Sequence, residues 1–197
     1  MAEVHIVNIV TLQDNSKYSL DVAFGGDGPT SPLPLIHDQP QHNLGTQEIR
    51  LYHGPIPDAV DQTQKLWIYQ YRNGPTMEWN SFYCFPEIEF LHADFGVMNH
   101  YTSTSFNHTN FQVRRPIIVK FLRSEVGGEV VGKVMLTGPE IKRNMGGKTE
   151  LVKVCKSEEE RVQAIKEIFG ISLTEEQALG ITGRISALPS ALVNGNH

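Results

Sequence analysis

Cysteine is nearly absent: Cys84 and Cys155 are the only two among 197 residues. A disulfide framework therefore does not hold this chain together, and a reducing compartment such as the cytoplasm is the expected setting. No apolar run approaches the roughly 18 residues of a membrane span. The first residues lack a charged region followed by an apolar stretch, so no secretory leader is expected. No block of lysine and arginine occurs, and 17 basic against 22 acidic residues leave a net charge of −5. A protein that tracks nucleic-acid phosphates shows the opposite balance. The histidines His37, His42, His53, His92, His100 and His108 do not fall into a ligand spacing, so no metal is expected. Neither nucleic acid nor membrane is an expected partner.

What is present suffices for a core. Hydrophobic residues make up 40% and aromatic ones 9%, and a chain of this size buries about 70% of its unfolded surface. Val4–Leu12 and Lys17–Phe24 read as two strands of a hairpin around Gln13-Asp14-Asn15-Ser16. Residues 25–47 read as a long loop. Glu48–His53, Leu66–Arg72 and Trp79–Phe85 are short strands rich in aromatic and branched residues, a spacing that suggests a barrel or sandwich. Ile88, Phe90, Leu91, Phe95 and Met98 recur at helical spacing and predict a helix over 87–100. Strands return at Ile117–Leu122, Glu129–Leu136 and Thr149–Val154. Ser157 with Glu160 predicts a capping box, Gly170 a helix stop, and Thr174 with Gln177 a second cap. The expected class is α+β: an antiparallel β-barrel over 1–86, an interdomain helix and polar segment over 87–110, and a small α/β unit over 111–197.

His5 and Asp21 carry the chemistry in this pattern. Each stands in an otherwise apolar strand, where a carboxylate is costly unless paired. Register decides whether they meet. A two-residue loop at Asp14-Asn15 sets His5 opposite Phe24 and puts Asp21 on the other face. A three-residue loop, Gln13–Asn15, sets His5 opposite Ala23, with Asp21 diagonal to it at about 7–8 Å between backbones. That loop needs a left-handed residue, which Asn15 tolerates. A paired Asp would fix the imidazole tautomer and leave the other nitrogen as a base; a His and Asp that merely satisfy one another would look the same.

The string Asp21-Val22-Ala23-Phe24-Gly25, behind His5, resembles the arylamine N-acetyltransferase family. Pro32-Leu33-Pro34-Leu35, Arg50-Leu51, Trp67-Ile68-Tyr69, Trp79-Asn80-Ser81-Phe82-Tyr83, Asp94-Phe95 and Asn99-His100-Tyr101 follow in family order, and Ile165–Ile171 agrees near the end. The closest resemblance is to fungal members. It implies a β-barrel, an interdomain helix and an α/β lid, preceded in the family by a helical domain that this chain lacks. It implies ping-pong transfer of acetyl or malonyl from acyl-CoA to a small aromatic amine or hydrazine, a detoxifying reaction on foreign amines, through a Cys–His–Asp triad. His5 and Asp21 match the catalytic base and orienter. The family's nucleophile lies upstream of that His, and only four residues precede His5; Cys84 and Cys155 read as structural thiols. The chain therefore reads as a truncated member. Such a truncation predicts a bare barrel face through which copies associate.

Phe24 matches the acceptor-pocket aromatic, or is plain core. Gly25 and Gly26 match the segment where backbone approaches CoA and substrate, although a glycine turn alone explains them equally well. Thr104, Ser105 and Thr109 match a CoA-contacting segment, but Phe106 stands where a proline is usual and the spacing to Phe111 is one residue longer. Two functions remain open: an acyltransferase completed by a first domain, and a catalytically inactive binding or regulatory module.

Overall fold

Two separate apolar cores organise the chain in a computed structural model that describes residues 5–22, 24–107, 110 and 113–190. The first core gathers Leu33, Ile49, Leu51, Trp67, Tyr69, Tyr83 and Phe85. Strands β1 (Asn8–Thr11), β2 (Lys17–Leu20) and β3 (Leu33–Pro34) form one sheet. Strands β4 (Gln41–His42), β5 (Glu48–Gly54), β6 (Leu66–Arg72) and β7 (Asn80–Phe85) form a second, in chain order. Ile49 and Leu51 alternate inward along β5, as a half-buried strand requires. In both sheets the neighbouring strands run antiparallel.

The expected long loop thus contains two short strands. They stay short because Pro32, Pro34 and Pro40 offer no N–H to a ladder. Among the described residues the ladders remain two open sheets and not a closed barrel; His37, between β3 and β4 and in neither sheet, makes an isolated parallel bridge to Leu51 of β5.

The predicted helix starts later than expected. Helix α1 spans His92–Thr104, and Leu91 before it is extended. The Asp94 carboxylate accepts from the Leu91 N–H at 2.8 Å and so fixes the start. Ile88 and Phe90 precede the helix, which buries none of its residues.

The second core joins Val134, Leu136, Ile141 and Cys155 to Ala164, Ile165 and Phe169. It lies under an antiparallel sheet of β8 (Ile117–Arg123), β9 (Val130–Thr137), β10 (Glu140–Asn144) and β11 (Thr149–Val154). Helix α2 (Glu158–Ala164) continues into a π turn at Ile165–Phe169, and Gly170 ends it with φ 76°. Ser157 caps α2 by accepting from the Glu160 N–H at 3.3 Å. The Glu160 carboxylate takes the Lys156 N–H instead of closing the predicted box. Helix α3 (Glu175–Leu179) has the predicted Thr174–Gln177 box in full.

The two halves touch backbone to backbone. A Cβ on Gly45 would fall 2.3 Å from the Gly146 Cα, so this contact requires glycine.

Candidate active site at the first hairpin

The turn between β1 and β2 sets the register. Asn15 adopts φ 66°, and Leu12 and Ser16 close the loop with a 2.9 Å hydrogen bond. Asn8 faces Leu20, and Thr11 faces Lys17. This is the three-residue alternative. Asp14 supports it by accepting from the Ser16 N–H and hydroxyl, which hold its carboxyl below the usual range. Ala23, the residue this register sets opposite His5, lies outside the described residues.

The strands are shorter than the expected Val4–Leu12 and Lys17–Phe24. The ladder ends at Asn8 and Leu20, and His5 and Asp21 lie just beyond it, where they nevertheless meet. His5 Nε2 lies 2.8 Å from Asp21 Oδ2. The Asp21 side chain is 0% exposed, and that of His5 is 19% exposed. Two more donors reach the carboxylate: the Tyr83 hydroxyl to Oδ2 at 2.6 Å, and the Phe24 N–H to Oδ1 at 3.2 Å. An ionised carboxylate only accepts, so Nε2 is the nitrogen that donates to it and Nδ1 takes no part in this bond. Burial, and then the bond to Asp21, push the Tyr83 hydroxyl far above the ordinary tyrosine range. Tyr83 therefore stays protonated and keeps donating.

The imidazole is held by rings. Phe24 stands edge-on to His5 at 5.2 Å, and Tyr83 lies 4.7 Å from it. Phe24 also touches Tyr69, Phe82 and Tyr83, so it serves the first core as well as the site.

The chain then turns sharply. Gly25 has φ 85° and its carbonyl accepts from the Gly28 N–H at 2.9 Å. A Cβ on Gly26 would fall 2.7 Å from Met135 Sδ, so the sheet of β8–β11 packs directly on this turn. The Lys133 ammonium donates to the Gly26 carbonyl and the Asp27 carboxylate.

A cavity of about 520 Å³ opens beside His5, between β1 and the segment leading into α1. Ile6, Phe85, Phe90, Phe95 and Met98 give it apolar walls, and Lys17 and Glu87 give it charge. Glu87 accepts from Lys17 and from the Trp67 indole N–H, which hold its carboxyl below the usual value. A larger pocket of about 840 Å³, between α2 and the C-terminal segment, shares no lining residue with this one.

Thr104 and Ser105 lie at the end of α1. The Thr104 hydroxyl donates to the His100 carbonyl at 2.5 Å, and the Ser105 carbonyl accepts from Asn110 at 2.8 Å. These bonds stay within the helix end and do not reach the hairpin. Thr109 lies outside the described residues. Cys84 and Cys155 are both buried, and burial pushes the Cys155 thiol up. Among the described residues no group of three His, Cys, Asp or Glu could hold a metal ion. None of the described helices is long and apolar enough to cross a membrane.

Sequence reasoning missed Tyr83 and Lys133. Both reach the hairpin from strands distant in sequence, and no local pattern announces such a contact.

Residues 1–178 match the model of an N-acetyltransferase family. The chain is similar to an N-malonyltransferase of Fusarium pseudograminearum, 36% identical over 185 residues, covering 90% of this chain and 53% of that protein. An N-malonyltransferase of Gibberella moniliformis is 31% identical over 180 residues, covering 88% and 51%. The chain therefore spans about half the length of these curated relatives. Among solved structures, the arylamine N-acetyltransferase of Salmonella typhimurium superposes with a TM-score of 0.68 at 24% identity, covering 90% of this chain and 60% of that one. The Mycobacterium marinum enzyme in complex with CoA gives 0.66 at 24% identity, covering 86% and 55%. At such identity these structures bear on the fold alone.

Proposed function

Since the chain belongs to the arylamine N-acetyltransferase family, we propose that it supplies the base and the orienting carboxylate for acyl transfer from acyl-CoA to a small aromatic amine or hydrazine. The observation that carries this reading is the 2.8 Å pairing of His5 Nε2 with a buried Asp21. It leaves Nδ1 as the nitrogen that moves protons.

In this reading Nδ1 takes the proton of a cysteine thiol. The thiolate attacks the thioester carbonyl, the CoA thiolate leaves, and the imidazolium returns the proton to it. The amine then attacks the acyl-cysteine, His5 accepts its proton, and the cysteine leaves as its thiol. Asp21 stabilises the imidazolium in both halves, and Tyr83 and the Phe24 N–H keep Asp21 ionised and fixed.

Cys84 and Cys155 are buried and do not fit the nucleophile's part. The thiol comes, in this proposal, from a helical domain that packs beside residues 1–86, the family's barrel unit. Ile6, Val10, Leu12 and Val22 are exposed on the hairpin that carries His5, which supports a covering partner there. Residues 87–110 would link this unit to a lid over 111–197. Phe24 borders the acceptor, and Gly25, Gly26, Thr104, Ser105 and Thr109 border the acyl-CoA. The activity for which the two fungal relatives are named favours malonyl-CoA over acetyl-CoA as donor.

The test is enzymatic. The 197-residue chain should form no acyl-arylamine from either donor. The full-length gene product, with its upstream cysteine, should do so, and His5→Ala should lower the rate by at least ~100-fold, the usual reach of a general base. Full activity after His5→Ala would overturn the assignment. A full-length product without such a cysteine would support the inactive module.

A further inference from the structure

We propose that Lys133 is a positioning residue for His5, acting through the turn Phe24–Asp27; this rests on the reading of His5 as the base. Lys133 belongs to β9, in the sheet of the second half. Its side chain is 1% exposed, and it is the only lysine in the buried set of the described residues. A lysine buried this deeply is costly unless its ammonium is fully engaged. Here it donates to the Gly26 carbonyl and to the Asp27 carboxylate. Gln47 donates to the same carboxylate at 3.2 Å, and the Tyr69 hydroxyl donates to the Asp27 carbonyl at 2.6 Å.

The turn is therefore tied at both ends by charge. At its start the Asp21 carboxylate holds the Phe24 N–H and His5. At its end Lys133 holds Gly26 and Asp27. Phe24 lies between, edge-on to the imidazole. Gly25, at φ 85°, gives the turn a pivot that a side chain would stiffen. Without the ammonium the far end of the turn loses its charged tie, and Phe24 is held against His5 from the Asp21 side and by its ring neighbours alone. A site held within a fraction of an ångström needs such a supporting contact. The second half of the chain would thus set the geometry of a base carried by the first.

The test reads His5 directly. In the labelled 197-residue chain, the His5 Nε2–H proton held by Asp21 should give a resolved downfield NMR signal. Lys133→Met should abolish that signal or move it, at an unchanged circular dichroism spectrum. Lys142→Met, which removes an exposed lysine paired with Glu140, should leave it in place. A folded Lys133→Met protein that keeps the wild-type signal overturns the proposal. Should the single variant fail to fold, the double variant Lys133→Met/Asp27→Asn removes both charges together, a replacement that buried pairs tolerate. Loss of the signal there supports the proposal, and its retention overturns it. Neither readout needs acyl transfer, so a failure of the acyltransferase reading would show in the His5→Ala assay and not here.

Discussion

Tyr83 and His5 converge on one oxygen: Asp21 Oδ2 accepts from the phenol at 2.6 Å and from the imidazole at 2.8 Å. The carboxylate is fully buried, so each donor offsets part of its desolvation. Removing one leaves the charge short of a partner. Tyr83→Phe should therefore lower stability by about 1–3 kcal/mol, the usual cost of stranding a buried acceptor. Urea unfolding measures it. A midpoint and slope equal to wild type would mean that the phenol contributes nothing to holding Asp21.

The hairpin register rests on Asn15 at φ 66°. Asn15→Gly should be neutral or slightly stabilising, because glycine takes that conformation freely. Asn15→Val should cost about 1–2 kcal/mol, the strain of a branched residue in the left-handed region. Deleting Asn15 makes the shorter loop. It should slip the pairing by one residue, turn His5 away from Asp21, and abolish the cross-strand contacts that NMR would otherwise record between them.

Local chemistry made much of this fold legible. Turn residues and apolar alternation bounded Leu66–Arg72 and Thr149–Val154 to the residue, and Asn15 already favoured the register that pairs His5 with Asp21. Strand β10 was not legible. Glu140-Ile141-Lys142-Arg143-Asn144 reads as a charged surface stretch, although it sits inside its sheet and buries Ile141 completely. One apolar residue among four polar ones gives no period. Helix α1 was displaced because Ile88 and Phe90 fit a helical spacing while the Asp94 cap starts the helix after them. Tyr83 and Lys133 act on the hairpin from β7 and β9. Tertiary contacts of that range leave no trace in local pattern.

Both cysteines should be silent in the folded chain. Cys84 and Cys155 are buried, and burial favours the Cys155 thiol over the reactive thiolate. Iodoacetamide at neutral pH should label neither residue until denaturant is added. Rapid labelling of Cys84 in the native protein would bring it back as a candidate nucleophile, since it borders the same cavity as His5.

Acid should act partly through Glu87. Lys17 first, and Trp67 second, hold its carboxyl below the ordinary value of 4.5. A carboxyl depressed in the folded state adds stability above its unfolded value, and that stability is lost as pH falls through the folded value. The loss should begin below about pH 4.5 and continue downward. Glu87→Gln should flatten this part of the stability curve. The difference should stay under about 1 kcal/mol, because both partners are partly exposed and the pair is screened. Curves that coincide between pH 3 and 6 would show that the contact adds nothing.

Two glycines should respond in opposite directions to the same methyl group. Gly96 sits inside helix α1, and an added Cβ would meet no atom within 4 Å. Gly96→Ala should stabilise the protein by about 0.5–1 kcal/mol, since alanine restricts the unfolded chain and favours the helix. Gly45 has φ 58° and presses against the Gly146 backbone. There the methyl group meets strain and a collision with main chain that cannot rotate away, so the two halves must separate locally. Gly45→Ala should cost more than about 1 kcal/mol. Thermal unfolding of the two variants beside wild type measures both. If Gly45→Ala unfolds at the wild-type temperature while Gly96→Ala gains stability, the close contact between the halves is not part of the native protein in solution.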